Sequence, residues 1–242
     1  GVESSEENRR DYRELLFWSE GMIGNIGGVI LFDETIRQFA ADGTSLVDLI
    51  SSQGALPGIK VDKGLQPIGD SKESLTQGLE GLDERLKEYF SLGAKFTKWR
   101  AVINIDNLLP SSEAISANMQ ALADYAKVVQ DNNMVPMVEP EVLMDGVHSI
   151  DDCYDATSRC LESLFSSLQD KGVDISGTIL KPNMVTSGSD AKDKAGIEEV
   201  AQRTVKCLKE NVPNELPGIT FLSGGQSDIC LLYTSPSPRD PE

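Results

Sequence analysis

The chain has 242 residues, a formal net charge of −17, 39% hydrophobic and 25% charged residues, and one histidine. A balance this acidic disfavours general binding to nucleic acid or anionic lipid, so any anionic ligand must meet lysines and arginines gathered locally. No apolar run approaches the ~18 residues that cross a bilayer, and the opening GVESSEENRRDYRE is charged where a secretory leader is apolar.

Along the chain, short apolar runs alternate with segments of helical period. The first run is GGVILF at 27–32 and the second PGIKV at 57–61. Lys60 interrupts the second, with Asp62 as its i+2 neighbour: either a salt-bridged pair at a strand end or a cation facing a ligand. Leu79, Leu82, Leu86 and Tyr89 then recur at helical spacing. In KFTKWRAVI, 95–103, Lys98 and Arg100 share one strand face, which suits an anionic substrate or a plain basic edge. Ile115, Met119, Leu122 and Tyr125–Ala126 mark the next helix.

MVPMVE, 134–139, leads into Glu139 and Glu141, again two residues apart. Two neighbouring carboxylates can work as an acid–base pair, or can simply be solvated in a loop. His148, in the polar stretch DGVHSIDD, reads as a surface residue. Ser149 and Asp152 form a capping pattern for a helix carrying Cys153, Leu161, Leu164 and Leu168. Cys153 and Cys160 fall on one face of that helix, about 10 Å apart by helical rise and too far to bridge. With Cys207 and Cys230 they form no C-x-x-C pair, which fits a reducing compartment.

The run GTILK, 177–181, ends in Lys181 followed at once by Pro182. Either the lysine snorkels at the strand tip, or that tip needs an amine. A lysine turns nucleophilic where burial or a second cation favours its neutral form, and Lys98 on a nearby strand is such a cation. A helix near 194–210 carries Val200, Val205 and Leu208. The last run, GITFLS at 218–223, opens into LSGGQS, where Ser223, Gly224 and Gly225 offer a hydroxyl and backbone N–H groups to a phosphate. The chain loses its rhythm in the tail, residues 230–242, which reads as disordered or foreign to the preceding 1–229.

Six strands at intervals of about 30–40 residues, separated by helices, predict parallel βα units. Polar residues at nearly every strand's C-terminal end point to a (β/α)₈ TIM barrel, which places its chemistry there. No G-x-G-x-x-G or P-loop is present, and a single histidine with scattered cysteines disfavours a zinc site or a serine hydrolase.

GGVILF, GIKVDKG, the KWR of KFTKWR, VPMVEPE, ILKPNMV and GITFLSGGQS, in this order, resemble the strand-end motifs of class I fructose-bisphosphate aldolase, the Schiff-base type, from near Glu7 to about Asp228. The resemblance implies an incomplete (β/α)₈ barrel holding strands 2 to 7 of the family pattern. In it Lys181 forms the Schiff base, Glu139 moves protons, Glu141 holds the lysine cluster and Lys98 stabilises developing charge. Lys60 and Arg100 contact substrate hydroxyls or the distal phosphate, and Ser223, Gly224 and Gly225 hold the C1 phosphate. It further implies a phosphorylated ketose substrate, no cofactor or metal, a homotetramer, and a cytoplasmic setting, with a plastid left open. The family's first strand, with an aspartate used in proton transfer, its eighth, with a phosphate-gripping arginine, and its C-terminal tyrosine have no counterpart here. The expectation is therefore a chain of little or no activity. A transaldolase-like Schiff-base enzyme and a binding or scaffold role are the alternatives.

Overall fold

The computed structural model describes residues 3–223. The expectations for Gly224, Gly225 and the tail at 230–242 lie outside the described residues.

The chain enters through helix α1 (Glu6–Phe17), whose first orphan N–H groups are met by Ser5, accepting from the Asn8 amide at 3.2 Å. Arg9 and Arg13 of α1 both reach Glu34 in the short α2 (Asp33–Ile36), which follows strand β1 (Gly28–Leu31). Helix α3 (Leu46–Ser52), capped by Ser45, leads to β2 (Leu56–Lys60). A small antiparallel hairpin, β3 (Leu65–Pro67) with β4 (Ser74–Thr76), precedes α4 (Leu82–Ser91). The long pairs follow: β5 (Phe96–Ile103) and α5 (Ser112–Asp131), then β6 (Val135–Val142) and α6 (Ile150–Asp170). The described part closes with β7 (Ile179–Leu180), α7 (Ile197–Asn211) and β8 (Gly218–Ile219).

Six of these strands form one sheet in the order β1-β2-β5-β6-β7-β8, every pair parallel. Sequential parallel order with a helix after most strands is an arc of a (β/α) barrel, and β1 and β8 are its edges among the described residues. Alternation along the strands sends Ile59, Trp99, Val138 and Leu180 to the helical side, where they are fully buried with Met119, Leu122, Leu161 and Leu164. Trp99 packs against Tyr125 with ring centroids 5.3 Å apart, and the Tyr125 hydroxyl meets Thr97 Oγ1 at 2.6 Å, so the buried hydroxyl has a partner.

The other face of the sheet is polar toward the C-terminal ends and apolar below. There Phe96 lies across Gly58; a Cβ at Gly58 would collide with the Phe96 ring, so only glycine fits. Toward the β1 edge, Ile30, Phe32 and Leu56 are exposed. A parallel sheet normally has both faces covered, so this edge carries the open apolar surface expected of an incomplete barrel.

The capping box at Ser149–Asp152 is present, and Cys153 and Cys160 share the buried face of α6 as free thiols, pushed up by burial to about 11 and about 12. Three expectations need correction. Leu79 lies before α4 and is partly exposed, because the buried stripe of that helix is Leu82, Leu86 and Tyr89. Val205 is exposed, since α7 turns Val200, Thr204, Cys207 and Leu208 inward. His148 is buried rather than on the surface: the segment after β7 folds over its loop, with the Gly188 N–H donating to the His148 carbonyl at 2.9 Å.

Candidate active site

The register of the sheet assembles the site. Lys60 lies opposite Lys98, Lys98 opposite Met137, Arg100 opposite Glu139, and Met137 opposite Ile179. Residues two apart share a face, so Lys98 and Arg100 within β5, Glu139 and Glu141 within β6, Lys60 at the end of β2 and Lys181, two beyond Ile179, lie on one side of the sheet.

At the centre is Glu139, only 3% exposed. Lys98 Nζ stands 2.6 Å from its Oε2, and the Lys181 ammonium donates to its Oε1. One buried carboxylate thus holds two ammonium groups from flanking strands. Glu141, next on the same face, accepts from Arg100 Nε, and this carboxylate, with burial opposing, holds the guanidinium yet more firmly protonated. Glu139 thus pairs with Lys98 and Lys181, and Glu141 with Arg100 rather than with a lysine. Lys60 reaches the face but not the cluster. Its Nζ pairs with Asp62 Oδ1 at 2.5 Å and donates to the Asp62 carbonyl at 3.1 Å, the salt-bridged pair that the i+2 spacing allowed.

Lys98, Arg100, Glu139, Glu141, Asn183 and Ser223 are among the lining of a cleft of about 520 Å³. Ser223 therefore stands at the cleft with Lys98, Glu139 and Glu141, while Lys181 and Lys60 are not among its lining. A larger hollow, about 820 Å³, lies beyond Asp145, lined among others by Lys72, Asp106, His148, Asp155 and Arg159; none of the six residues on the shared face borders it, so the chemistry is assigned to the smaller cleft. Among the described residues no group of three or more histidine, cysteine or carboxylate side chains is placed to hold a metal ion, and no helix is long and apolar enough to cross a membrane.

One group at the site, Asn183, escaped the sequence reading, whereas Asp62 is the neighbour that the i+2 spacing gives Lys60. The carboxylate of Asp62 is nearly buried beside Lys60 and leaves its Oδ2 without a hydrogen bond. Asn183, 4% exposed, bonds Val142 at the end of β6. Its signal was the asparagine directly after Lys-Pro, which strand periodicity does not score.

The family model for class I fructose-bisphosphate aldolase matches residues 1–230. A probable class 1 fructose-bisphosphate aldolase from Xanthomonas axonopodis pv. citri is 55% identical over 229 residues, covering 94% of this chain and 69% of the relative. Cytosolic fructose-bisphosphate aldolase 6 from Arabidopsis thaliana is 50% identical, covering 94% of this chain and 63% of that protein. Among solved structures, the fructose-bisphosphate aldolase of Plasmodium falciparum, in complex with TRAP and a small-molecule inhibitor, superposes with a TM-score of 0.93 at 45% identity, over 96% of this chain and 68% of that one. Sequence, fold and strand-end chemistry agree: the chain belongs to the class I fructose-bisphosphate aldolase family.

Proposed function

We propose that this chain carries the carbon–carbon lyase chemistry of its family, the reversible cleavage of fructose 1,6-bisphosphate into dihydroxyacetone phosphate and glyceraldehyde 3-phosphate, in glycolysis and gluconeogenesis, through an imine on Lys181. The observation that carries the reading is the shared carboxylate: the Lys181 ammonium rests on Glu139, which also holds Lys98.

A proton passed from Lys181 to Glu139 leaves a neutral amine beside an acid. The amine adds to the C2 ketone of the open-chain sugar, and the carbinolamine hydroxyl takes a proton from Glu139 and departs as water. The product is an iminium, an electron sink. When the C3–C4 bond breaks, its electron pair moves to that nitrogen as an enamine, the C4 hydroxyl gives its proton to a base, and C4 leaves as the aldehyde. Protonation at C3 and hydrolysis return the amine and release dihydroxyacetone phosphate. Lys98, 2.6 Å from Glu139, compensates charge while the proton moves. In this reading Arg100, which pairs with Glu141, and Lys60, which pairs with Asp62, meet the distal phosphate or the hydroxyls, and Ser223, Gly224 and Gly225 bind the C1 phosphate.

The same reading includes a homotetramer and a cytoplasmic setting, supported by the family and, for the latter, by the cytosolic Arabidopsis relative. It also includes weak turnover for the 242 residues taken alone, supported by the exposed Ile30, Phe32 and Leu56 at the β1 edge. The test is reductive trapping. Borohydride added with dihydroxyacetone phosphate should label Lys181, Lys181→Met should abolish the label, and a chelator should leave it unchanged. Labelling at another lysine, or only by a non-phosphorylated keto acid, would overturn the assignment. Full-rate cleavage by the chain alone would overturn the weak-turnover reading.

A further inference from the structure

Very little backbone joins β6 to β7. The register covers Met137 with Ile179 and Val138 with Leu180, and the Lys181 N–H adds one bond to the Val138 carbonyl at 2.8 Å. Along β6 the N–H groups alternate in direction. Val135 and Leu143 donate toward β5, to the carbonyls of Lys95 and Ile103 at 3.1 and 2.9 Å, so the even-numbered positions face β7. One of these, beside Lys181, is Pro140, which has no N–H to give. The ladder stops there, next to the lysine on which the proposed chemistry depends.

The next N–H facing β7, that of Val142, is bound by a side chain instead. It donates to Asn183 Oδ1 at 3.0 Å. The other end of the same amide donates to Thr157 Oγ1 of α6 and to the Met184 carbonyl, both at 3.1 Å. Asn183 and Thr157 are both buried. A single amide therefore ties together the end of β6, the chain two residues past Lys181, and α6. Glu139 lies before the gap and Val142 after it, so the tie brackets the Lys181–Glu139 pair from the far side.

We propose that Asn183 is a positioning residue for that pair: beyond the rung that Pro140 cannot make, its side chain ties the Val142 N–H and sets the separation of the two strand ends. The kinetic readout rests on the Schiff-base reading above; the exchange readout does not. Small displacements of a reacting group are costly, up to about 100-fold for 1 Å.

The experiment compares the unchanged chain with Asn183→Ala and Thr157→Val. The latter removes one bond of the same amide and spares the Val142 tie. Three quantities are read: the limiting rate of borohydride trapping with dihydroxyacetone phosphate, the half-saturating ketose concentration, and hydrogen exchange at the Val142 and Lys181 amides. For Asn183→Ala the limiting rate should fall about tenfold or more with half-saturation unchanged, as expected when a reacting group is displaced and no ligand contact is lost. The Val142 and Lys181 amides should lose protection while that of Leu122 in α5 keeps it. Thr157→Val should lower thermal stability without slowing the limiting rate. An unchanged rate in Asn183→Ala, or an equal fall in both variants, overturns the proposal. If the unchanged chain traps no ketose, the Schiff-base reading fails, and exchange decides the tie: Lys181 protection that survives Asn183→Ala refutes it, and its loss supports it.

Discussion

Glu139 is the single anion between two ammonium groups, and its removal tests the site's electrostatics directly. Glu139→Ala leaves Lys98 and Lys181, whose side chains are 12% and 19% exposed, facing each other without a counter-ion. Taking one partner out of a buried ion pair costs about 3–5 kcal/mol. Both lysines keep an edge on solvent, so the lower end applies, about 3 kcal/mol. At ~2–4 °C per kcal/mol for a chain of this size, the midpoint of thermal unfolding should fall by about 6–12 °C. Lys98→Met behaves differently. It leaves the Glu139–Lys181 pair standing and removes a repulsion between cations, so the change should stay within about 1 kcal/mol. The double variant Glu139→Ala/Lys98→Met should then recover part of the loss, because only one uncompensated cation remains. Urea midpoints for the four proteins form a double-mutant cycle. A loss below about 1 kcal/mol for Glu139→Ala, or single losses that simply add, would refute the shared-carboxylate arrangement.

Two further outcomes follow from the packing. His148 is the sole histidine, and burial lowers its pKa below the ordinary 6.5, with Asp152 and Asp145 pulling the other way. The folded state therefore favours the neutral ring, so its contribution to stability is full above pH ~6.5 and is lost as the pH falls from there through the folded value. Urea midpoints at about pH 7.5 and 5.5 should fall more for the unchanged chain than for His148→Gln; equal falls would show that the ring titrates as if exposed. Gly58→Ala should lower stability by about 1–3 kcal/mol through overpacking against Phe96. Phe96→Leu should restore part of it, and a Gly58→Ala chain as stable as the original would mean that the ring does not lie across β2.

The elements legible in the residues were those with a strong period. The stripes Leu82–Leu86–Tyr89 and Ile115–Met119–Leu122 became α4 and α5, and the Ser149–Asp152 box opens α6 where the cap predicts. Helices α1 and α3 and the β3–β4 hairpin were not read. The hairpin strands are three residues each, too short to show alternation, and α1 is mostly charged. Val205 has the apolar character of a core residue but not its place, because which face of α7 turns inward is decided by its neighbours.

Within the site, a period of two put Lys98 on a face with Arg100, and Glu139 with Glu141, before any strand was paired. That much is local, since the alternation of a strand is a property of its own backbone. Which cation each carboxylate meets is not local. It depends on the stagger that sets Arg100 opposite Glu139 and Val102 opposite Glu141, on the advance of Lys181 beyond Ile179, and on the amide of Asn183 tying Val142 beyond the gap at Pro140. The burial of His148 belongs with these, because a segment 40 residues later in the chain covers it. The sequence by itself determined the residue types and the faces they share. The tertiary structure alone decided their partners, because register and burial are set by contacts between segments far apart in the chain.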